Sequence, residues 1–400
     1  MTDPRQAADG GTPGGREPVG GRWVIQAGRL LRPGGLTGPG FLKIEGDRIA
    51  AVSEGYHPAP EFDAADDLVA PGFVDLQVNG AAGCDFLRPT PEGLEAASTH
   101  LLRTGTVAYL PTLISAPTDQ LQRALAFFAP RMERPSVAPR IAGVHLEGPF
   151  LSRARPGAHR IEHLRPPSIE FIGRLLDEFQ GVIRLVTLAP ELDGALDLID
   201  YLVGRGIVVA LGHTEATYAQ ARAAFDRGAR LATHLFNAMR PFHHREPGVV
   251  GAALSHPDVT CSIIADLVHL HPAVVAHVIG AKTPARTVLI TDAVAAAGTP
   301  GGISTLGDRE VRVRDGAPRL PDGTLAGSVL TMDAAVRHVG ALGVDLLDAL
   351  RMASVTPAEL LGRPASIAPG APADLVVLDA RLVVRATIVA GRVVYRQAAA

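Results

Sequence analysis

Glu147, His213 and His234 each stand at or near the end of an apolar run, in RIAGVHLE, GIVVALGH and RLATHLF. A carboxylate and two imidazoles suit a borderline divalent ion, and three protein ligands leave a coordination position open for water or substrate. Zinc is the expected metal, one ion per subunit, with iron, cobalt or manganese as alternatives. A single histidine after an apolar run is most often a hydrogen-bonded rim or core residue. Two of them with a glutamate at equivalent positions are better explained by an ion. Asp292 closes the run RTVLITD, where a carboxylate is costly to desolvate without a partner. Alone it would serve as a helix cap. Opposite a metal-activated water it would accept a proton and hand it to a leaving group. Asp75, Gln77, Asn79, His145, Asn237, Asp266 and His269 occupy similar run ends. The chain has only Lys43 and Lys282, neither at such an end, so no carbamylated lysine is available to bridge two ions.

Bringing these ends together requires a fold that points them one way. Between Pro71 and about Arg363, eight apolar runs alternate with segments of helical periodicity. The runs start at Gly72, Thr106, Arg140, Val182, Gly206, Arg230, Val259 and Arg286. Alternating βα units predict a parallel sheet, and eight of them predict a (β/α)8 TIM barrel, whose strand C-terminal ends form one rim where active sites are built. An open doubly wound sheet is the competing architecture, but no GxGxxG turn follows the first run. PEGLEAASTHLLRTG and TDQLQRALAFFAP have the apolar spacing of outer helices. Both chain ends are rich in β-branched runs, so residues 22–69 and 366–400 are expected to pair into one small β domain beside the barrel of residues 70–365. Residues 1–21, rich in Gly and Pro with little to bury, are expected to form a mobile tail.

The 400 residues are 47% hydrophobic and 20% charged with a formal net charge of -3, which supplies a core and excludes a disordered chain. No basic field is available for nucleic acid. Cys84 and Cys261 offer neither a disulfide framework nor a thiolate metal site. With no apolar run long enough to span a bilayer and no secretory-type leader, no membrane partner is expected and the location reads as cytoplasmic.

The segments APGFVDLQVNG, HLEGPFL with PGAH, LGHTEA, THLFNAM, REPG, ADLVH, TDA and LAGS occur in that order along the chain. Together they resemble the amidohydrolase superfamily and, within it, the N-acetylglucosamine-6-phosphate deacetylase family. The resemblance implies an amidohydrolase-type barrel with a small β-sandwich from both chain ends. It implies a metal held by Glu147, His213 and His234, with Asp292 as catalytic acid/base. It further implies sugar phosphate contacts from Arg245 and His269 assisted by Asn237 and Ala238, with others from Ala158, His159, Asp266 and the Leu325, Ala326, Gly327, Ser328 loop. His159 would help polarise the acetamide carbonyl. The implied reaction is hydrolysis of N-acetyl-D-glucosamine 6-phosphate to acetate and D-glucosamine 6-phosphate, by a homodimer. The galacto epimer, another N-acyl or cyclic amide, or a non-catalytic barrel scaffold are the alternatives. Two departures stand out. Gln77-Val78-Asn79 replaces the His-x-His that holds a second metal in many amidohydrolases, so at most a vestigial second site is expected there. Leu267 stands where the family commonly has glycine. His243 and His244 match no family role and are read as loop residues.

Overall fold

The structure is a computed structural model describing residues 21–132, 139–363 and 365–398. Apart from Gly21, the expected mobile tail lies outside the described residues. Eight parallel strands form the centre: β1 (Phe73–Val78), β2 (Thr106–Ile114), β3 (Val144–Glu147), β4 (Ile183–Leu188), β5 (Val208–Leu211), β6 (Leu231–Ala232), β7 (Thr260–Ile264) and β8 (Thr287–Ile290). Each pairs with the next in chain order. β8 returns to β1 through the parallel bridge Val78↔Ala293, with the Asp292 amide donating to the Gln77 carbonyl at 2.9 Å. This is the expected (β/α)8 barrel. Every residue of β1, β2, β3 and β7 is buried, because a parallel sheet closed on itself and ringed by helices has no wet face. That is why these strands read as predominantly apolar runs rather than as alternating ones.

The helices follow from caps and periodicity. Pro91–Arg103 starts with Thr90 accepting from the Gly93 amide and Pro91 in the first turn, and it buries Leu94, Ala97, Ser98, Leu101 and Leu102 on one stripe. Thr118–Met132 buries Leu121, Ala124, Leu125 and Phe128 likewise. The third run is not one strand. Arg140–Ile141 pairs with β2, then the chain breaks at Gly143, whose φ is +147°, before β3 begins. A Cβ at Gly143 would lie 2.1 Å from the Arg184 side chain, so only glycine lets the two segments pass there.

The two chain ends share one eight-stranded sheet, in which Phe62–Pro71 pairs antiparallel with Leu375–Leu378. Side chains alternate between two cores. Val69, Leu375 and Val377 face a second core with Ile25, Leu42, Ile44 and Ile388, while Leu68, Ala70, Val376 and Leu378 belong to the barrel core. The sheet folds over the second core as the small sandwich. One element has no counterpart in the sequence reading. After β8, Ile303–Leu306, Arg309–Arg314 and Ala317–Arg319 form a three-stranded antiparallel sheet at the barrel rim.

Candidate active site

Glu147 ends β3, His213 follows β5 by two residues and His234 follows β6 by two. All three are buried, at 3–5% exposure, and their facing atoms converge. His213 Nε2 and His234 Nε2 are 3.1 Å apart, and they lie 3.1 and 2.9 Å from Glu147 Oε1. Such a group can hold a metal ion. His213 Nδ1 lies 3.1 Å from the Arg155 carbonyl, which can only accept. That bond puts the proton on Nδ1 and leaves the Nε2 lone pair facing the cluster, the tautomer a metal ligand requires. Burial, then the neighbouring His159, pulls His213 down to about 4. Burial opposes the charge on Glu147, but the surrounding imidazoles of His159, His213 and His234 outweigh it and keep the carboxyl well below the usual range. His234 is shifted the other way, raised by Glu147 and Asp292 against its burial. Ligation requires both imidazoles neutral beside an ionised carboxylate.

Asp292 faces this cluster from the end of β8. Its Oδ1 accepts from Asn79 Nδ2 at 2.7 Å and from Gln77 Nε2 at 3.0 Å, and the same Gln77 nitrogen donates to Glu147 Oε1 at 3.0 Å. The amides of Gln77 and Asn79 thus tie the carboxylate to the metal-binding group, while Asn79 Oδ1 and His234 Nδ1 are buried without a hydrogen-bond partner. Burial and then the charge of Glu147 push Asp292 up to about 7, against the pull of His234, His269 and the Asn79 bond. His213, His234 and Asp292 have φ of +49°, +30° and +50°. Left-handed backbone at three non-glycine residues is strain of the kind that clusters at functional sites. At β8 it is held in place from both sides: Ser328 donates its amide to the Asp292 carbonyl at 2.8 Å, and its hydroxyl bonds the Thr291 carbonyl at 2.5 Å.

Above these groups lies a cavity of about 540 Å³, lined by Asn79, Glu147, Arg155, Gly157, Ala158, His159, His213, His234, Asn237, Ala238, His269, Asp292, Arg319, Leu325 and Gly327 among others. A buried ligand triad, a carboxylate facing it and a concave space above both suit metal-assisted hydrolysis. The Amidohydrolase family profile matches residues 68–394. The chain belongs to the amidohydrolase family. It is 39% identical to N-acetylgalactosamine-6-phosphate deacetylase of Escherichia coli O157:H7, over 92% of this chain and 98% of that protein. It is equally 39% identical to human N-acetylglucosamine-6-phosphate deacetylase, over 94% and 95% of the two chains. The structure of a mutant N-acetyl-D-glucosamine-6-phosphate deacetylase from Mycobacterium smegmatis, in complex with N-acetyl-D-glucosamine-6-phosphate, superposes with a TM-score of 0.88 at 41% identity, covering 94% of this chain and 99% of that one.

Within this amidohydrolase barrel the remaining expected residues divide into two groups. Ala158, His159, Asn237, Ala238, His269, Leu325 and Gly327 reach the cavity wall. His159 is oriented from behind: the Ser115 amide donates to its Nδ1 at 3.2 Å, so its proton sits on Nε2, 3.7 Å from Glu147 Oε2. Asp266 stands behind His269, accepting from its Nδ1 at 2.7 Å. Ala326 and Ser328 are buried behind the wall rather than in it. Arg245 is not among the lining residues. It is exposed, with Nη1 2.7 Å from His244 Nε2, while the His243 and His244 ring centres lie 4.3 Å apart, tilted by 38°. Leu267 has φ +64°, which is the physical reason a glycine would suit that position. Gln77 and Asn79 are spent on Glu147 and Asp292. Sequence reasoning missed Ser115, the Arg155 carbonyl, Thr291 and Arg319. Ser115 and Thr291 are polar residues at strand ends, a signal that was available. A backbone carbonyl carries no residue-type signal.

Proposed function

We propose that the chain hydrolyses the acetamide of N-acetyl-D-glucosamine 6-phosphate to D-glucosamine 6-phosphate and acetate. The convergence of Glu147, His213 and His234 with Asp292 beneath one cavity carries the reading, and the relatives' named activities support it. The donor set fits a single divalent ion, with zinc preferred and iron, cobalt or manganese as alternatives. His213 already presents its ligating tautomer, and two neutral amides, Gln77 and Asn79, stand where a second ion would need better ligands. When bound, the metal supplies Lewis acidity to the amide carbonyl and lowers the pKa of water.

The chain's own groups carry the protons. Asp292 accepts a proton from the attacking water as the water oxygen bonds to the acetamide carbon. The same carboxyl then protonates the amine nitrogen as the C–N bond breaks. His159 presents Nε2–H to the carbonyl oxygen and stabilises the charge that develops there. Gln77 and Asn79 fix the Asp292 oxygen that does not move the proton. His269, held by Asp266, would contact the sugar phosphate from the cavity wall, beside Ala158, Asn237, Ala238, Leu325 and Gly327. Ser328 holds the Asp292 carbonyl from behind, with Ala326 buried in the same segment. For Arg245 the family resemblance is the support, since the residue stands on an exposed loop.

Acetate release from the metal-loaded protein tests this reading, using the gluco 6-phosphate, the galacto epimer and the unphosphorylated sugar side by side. Preference for the gluco phosphate is expected; turnover of none of the three overturns it. The galacto epimer is the second reading, because the E. coli relative named for it matches as well as those named for the gluco substrate. A cytoplasmic homodimer belongs to the same proposal. It is supported by two buried free cysteines and by exposed Phe242, Val268 and Ile303, and the sedimentation coefficient tests the dimer. Among the described residues no helix is long and apolar enough to cross a membrane.

A further inference from the structure

Another cavity, of about 400 Å³, lies at the pole of the barrel opposite the metal cluster. Pro71 leads from it into β1 and Ala285 into β8, so it sits at the N-terminal ends of two strands whose other ends carry Gln77 and Asp292. Arg32, at the end of the sandwich strand Arg22–Arg32, forms one side, and Arg351, from the helix Leu346–Ala353, forms another. None of these residues lines the catalytic cavity.

The charge balance at this pole is cationic. Arg351 donates Nη2 to the Pro33 carbonyl at 3.2 Å, and among the described residues no carboxylate lies within 4.0 Å of its guanidinium or of that of Arg32. Glu359, the one carboxylate of the wall, is exposed. A narrower groove shares Pro71, Ala365 and Ser366 with the cavity and adds Arg140, Arg363 and Asp374. Asp374 is already taken: Arg140 donates to it through Nε at 2.9 Å and Nη2 at 3.2 Å, and the Ala390 amide donates to it at 2.7 Å. Among the described residues Arg363 has no carboxylate within 4.0 Å. Three guanidinium groups without an ion pair thus stand against one glutamate. Such forks suit a phosphate, which accepts paired, charge-assisted bonds from them. The rest of the wall decides what the phosphate is attached to. Leu31, Pro71, Ala285, Val355 and Ala365 are apolar. The Thr356 hydroxyl is donated to the Pro284 carbonyl at 3.1 Å, which leaves Ser366 as the remaining side-chain hydroxyl. A sugar would find few partners here, whereas a flat apolar body would bury well.

We propose that this cavity is a second ligand site, taking an organic phosphate with a flat apolar body, such as a nucleoside monophosphate, between Arg32 and Arg351. The test is calorimetric binding of adenosine 5′-monophosphate, with inorganic phosphate and adenosine as separate probes, to the metal-loaded full chain. Wild type, Arg32→Gln, Arg351→Gln and Arg351→Lys are compared. The nucleotide should bind the wild type more tightly than either probe and raise its melting midpoint. Each Gln variant should weaken nucleotide binding by about ten- to a hundredfold, and Arg351→Lys, which keeps the charge without the fork, by less. Arg32→Gln disturbs no hydrogen bond of the described fold, so its loss reads the ligand rather than the folding of the chain. Failure of the nucleotide to bind the wild type overturns the assignment. So does binding that both Gln variants leave unchanged, which would place the nucleotide in the catalytic cavity, and so does binding no tighter than that of inorganic phosphate.

Discussion

Replacing Asp292 by Asn should slow the enzyme and stabilise the metal-free fold, and the two effects have separate origins. Asn keeps an oxygen where Oδ1 accepts from Asn79 and Gln77 at 2.7 and 3.0 Å, so the geometry should persist. It removes the group that accepts and returns the proton. General acid–base catalysis contributes about 10²–10⁴ in rate, so kcat should fall by that factor with metal content unchanged. For stability, burial and Glu147 raise the carboxyl from 3.8 to about 7. The folded state therefore holds this proton more tightly than the unfolded chain, and wild-type stability declines as pH rises from about 4 to about 7, then levels off. At about 1.36 kcal/mol per pH unit, the ceiling on that loss is about 4 kcal/mol. Asn carries no such penalty. In chelated protein, urea midpoints should match near pH 4 and separate progressively up to pH 7, the variant being the more stable. Turnover within tenfold of wild type would remove Asp292 from the proton pathway, and a pH-independent stability gap would refute the assigned titration.

Gly327→Ala should impair catalysis by moving Asp292, because its Cβ would lie 2.6 Å from the Asp292 carbonyl oxygen and 2.5 Å from Val294 Cγ1, at a φ of +68°. A stability loss of about 1–3 kcal/mol and at least a tenfold drop in kcat are expected, read by thermal melts and acetate release. Asp75→Ala should loosen the β1–β8 seam: it leaves the Thr291 hydroxyl and amide and the Gln77 amide, at 2.5, 3.3 and 3.2 Å, without their acceptor. About 2–4 kcal/mol of stability should be lost in urea titration. Chelation should abolish turnover and lower the melting midpoint, with zinc restoring both. At a metal concentration a thousandfold above Kd the stabilisation is about 4 kcal/mol, and His213→Ala should fail to recover it.

The barrel was readable because β1, β2, β3 and β7 are buried on both faces, so their runs are predominantly apolar, with the polar residues they carry, such as Asp75, Gln77 and His145, gathered toward one rim. Glu147, His213, His234 and Asp292 were legible for that reason: polar groups ending such runs have one direction to point. What the sequence hid is carried mainly by backbone. The carbonyl of Arg155 sets the His213 tautomer and the amide of Ser115 sets that of His159, and neither depends on which side chain occupies the position. The break at Gly143 was hidden inside an apolar run, since its cause is the Arg184 side chain of a neighbouring strand.

Arg245 and Arg319 separate the two kinds of inference. A motif assigns Arg245 its role through similarity of the REPG segment, yet the folded chain leaves that side chain outside the cavity wall. Nothing around Arg319 in the sequence marks it, because RLPDGT reads as an ordinary turn after a short strand. Its position follows from the pairing of Arg312 with Arg319, the Leu320–Thr324 turn and the ion pair of Asp308 with Arg160, each a contact between residues whose separate identities say little. The arm that carries Arg319 ends at Ser328 on Asp292. Lengthening it by one residue at the exposed tip near Asp322 would disturb the seat of the Asp292 backbone while leaving the metal cluster, held by β3, β5 and β6, where it is. Such a variant should keep its metal and lose kcat through the displaced carboxylate. An unchanged kcat would mean that the arm does not position Asp292.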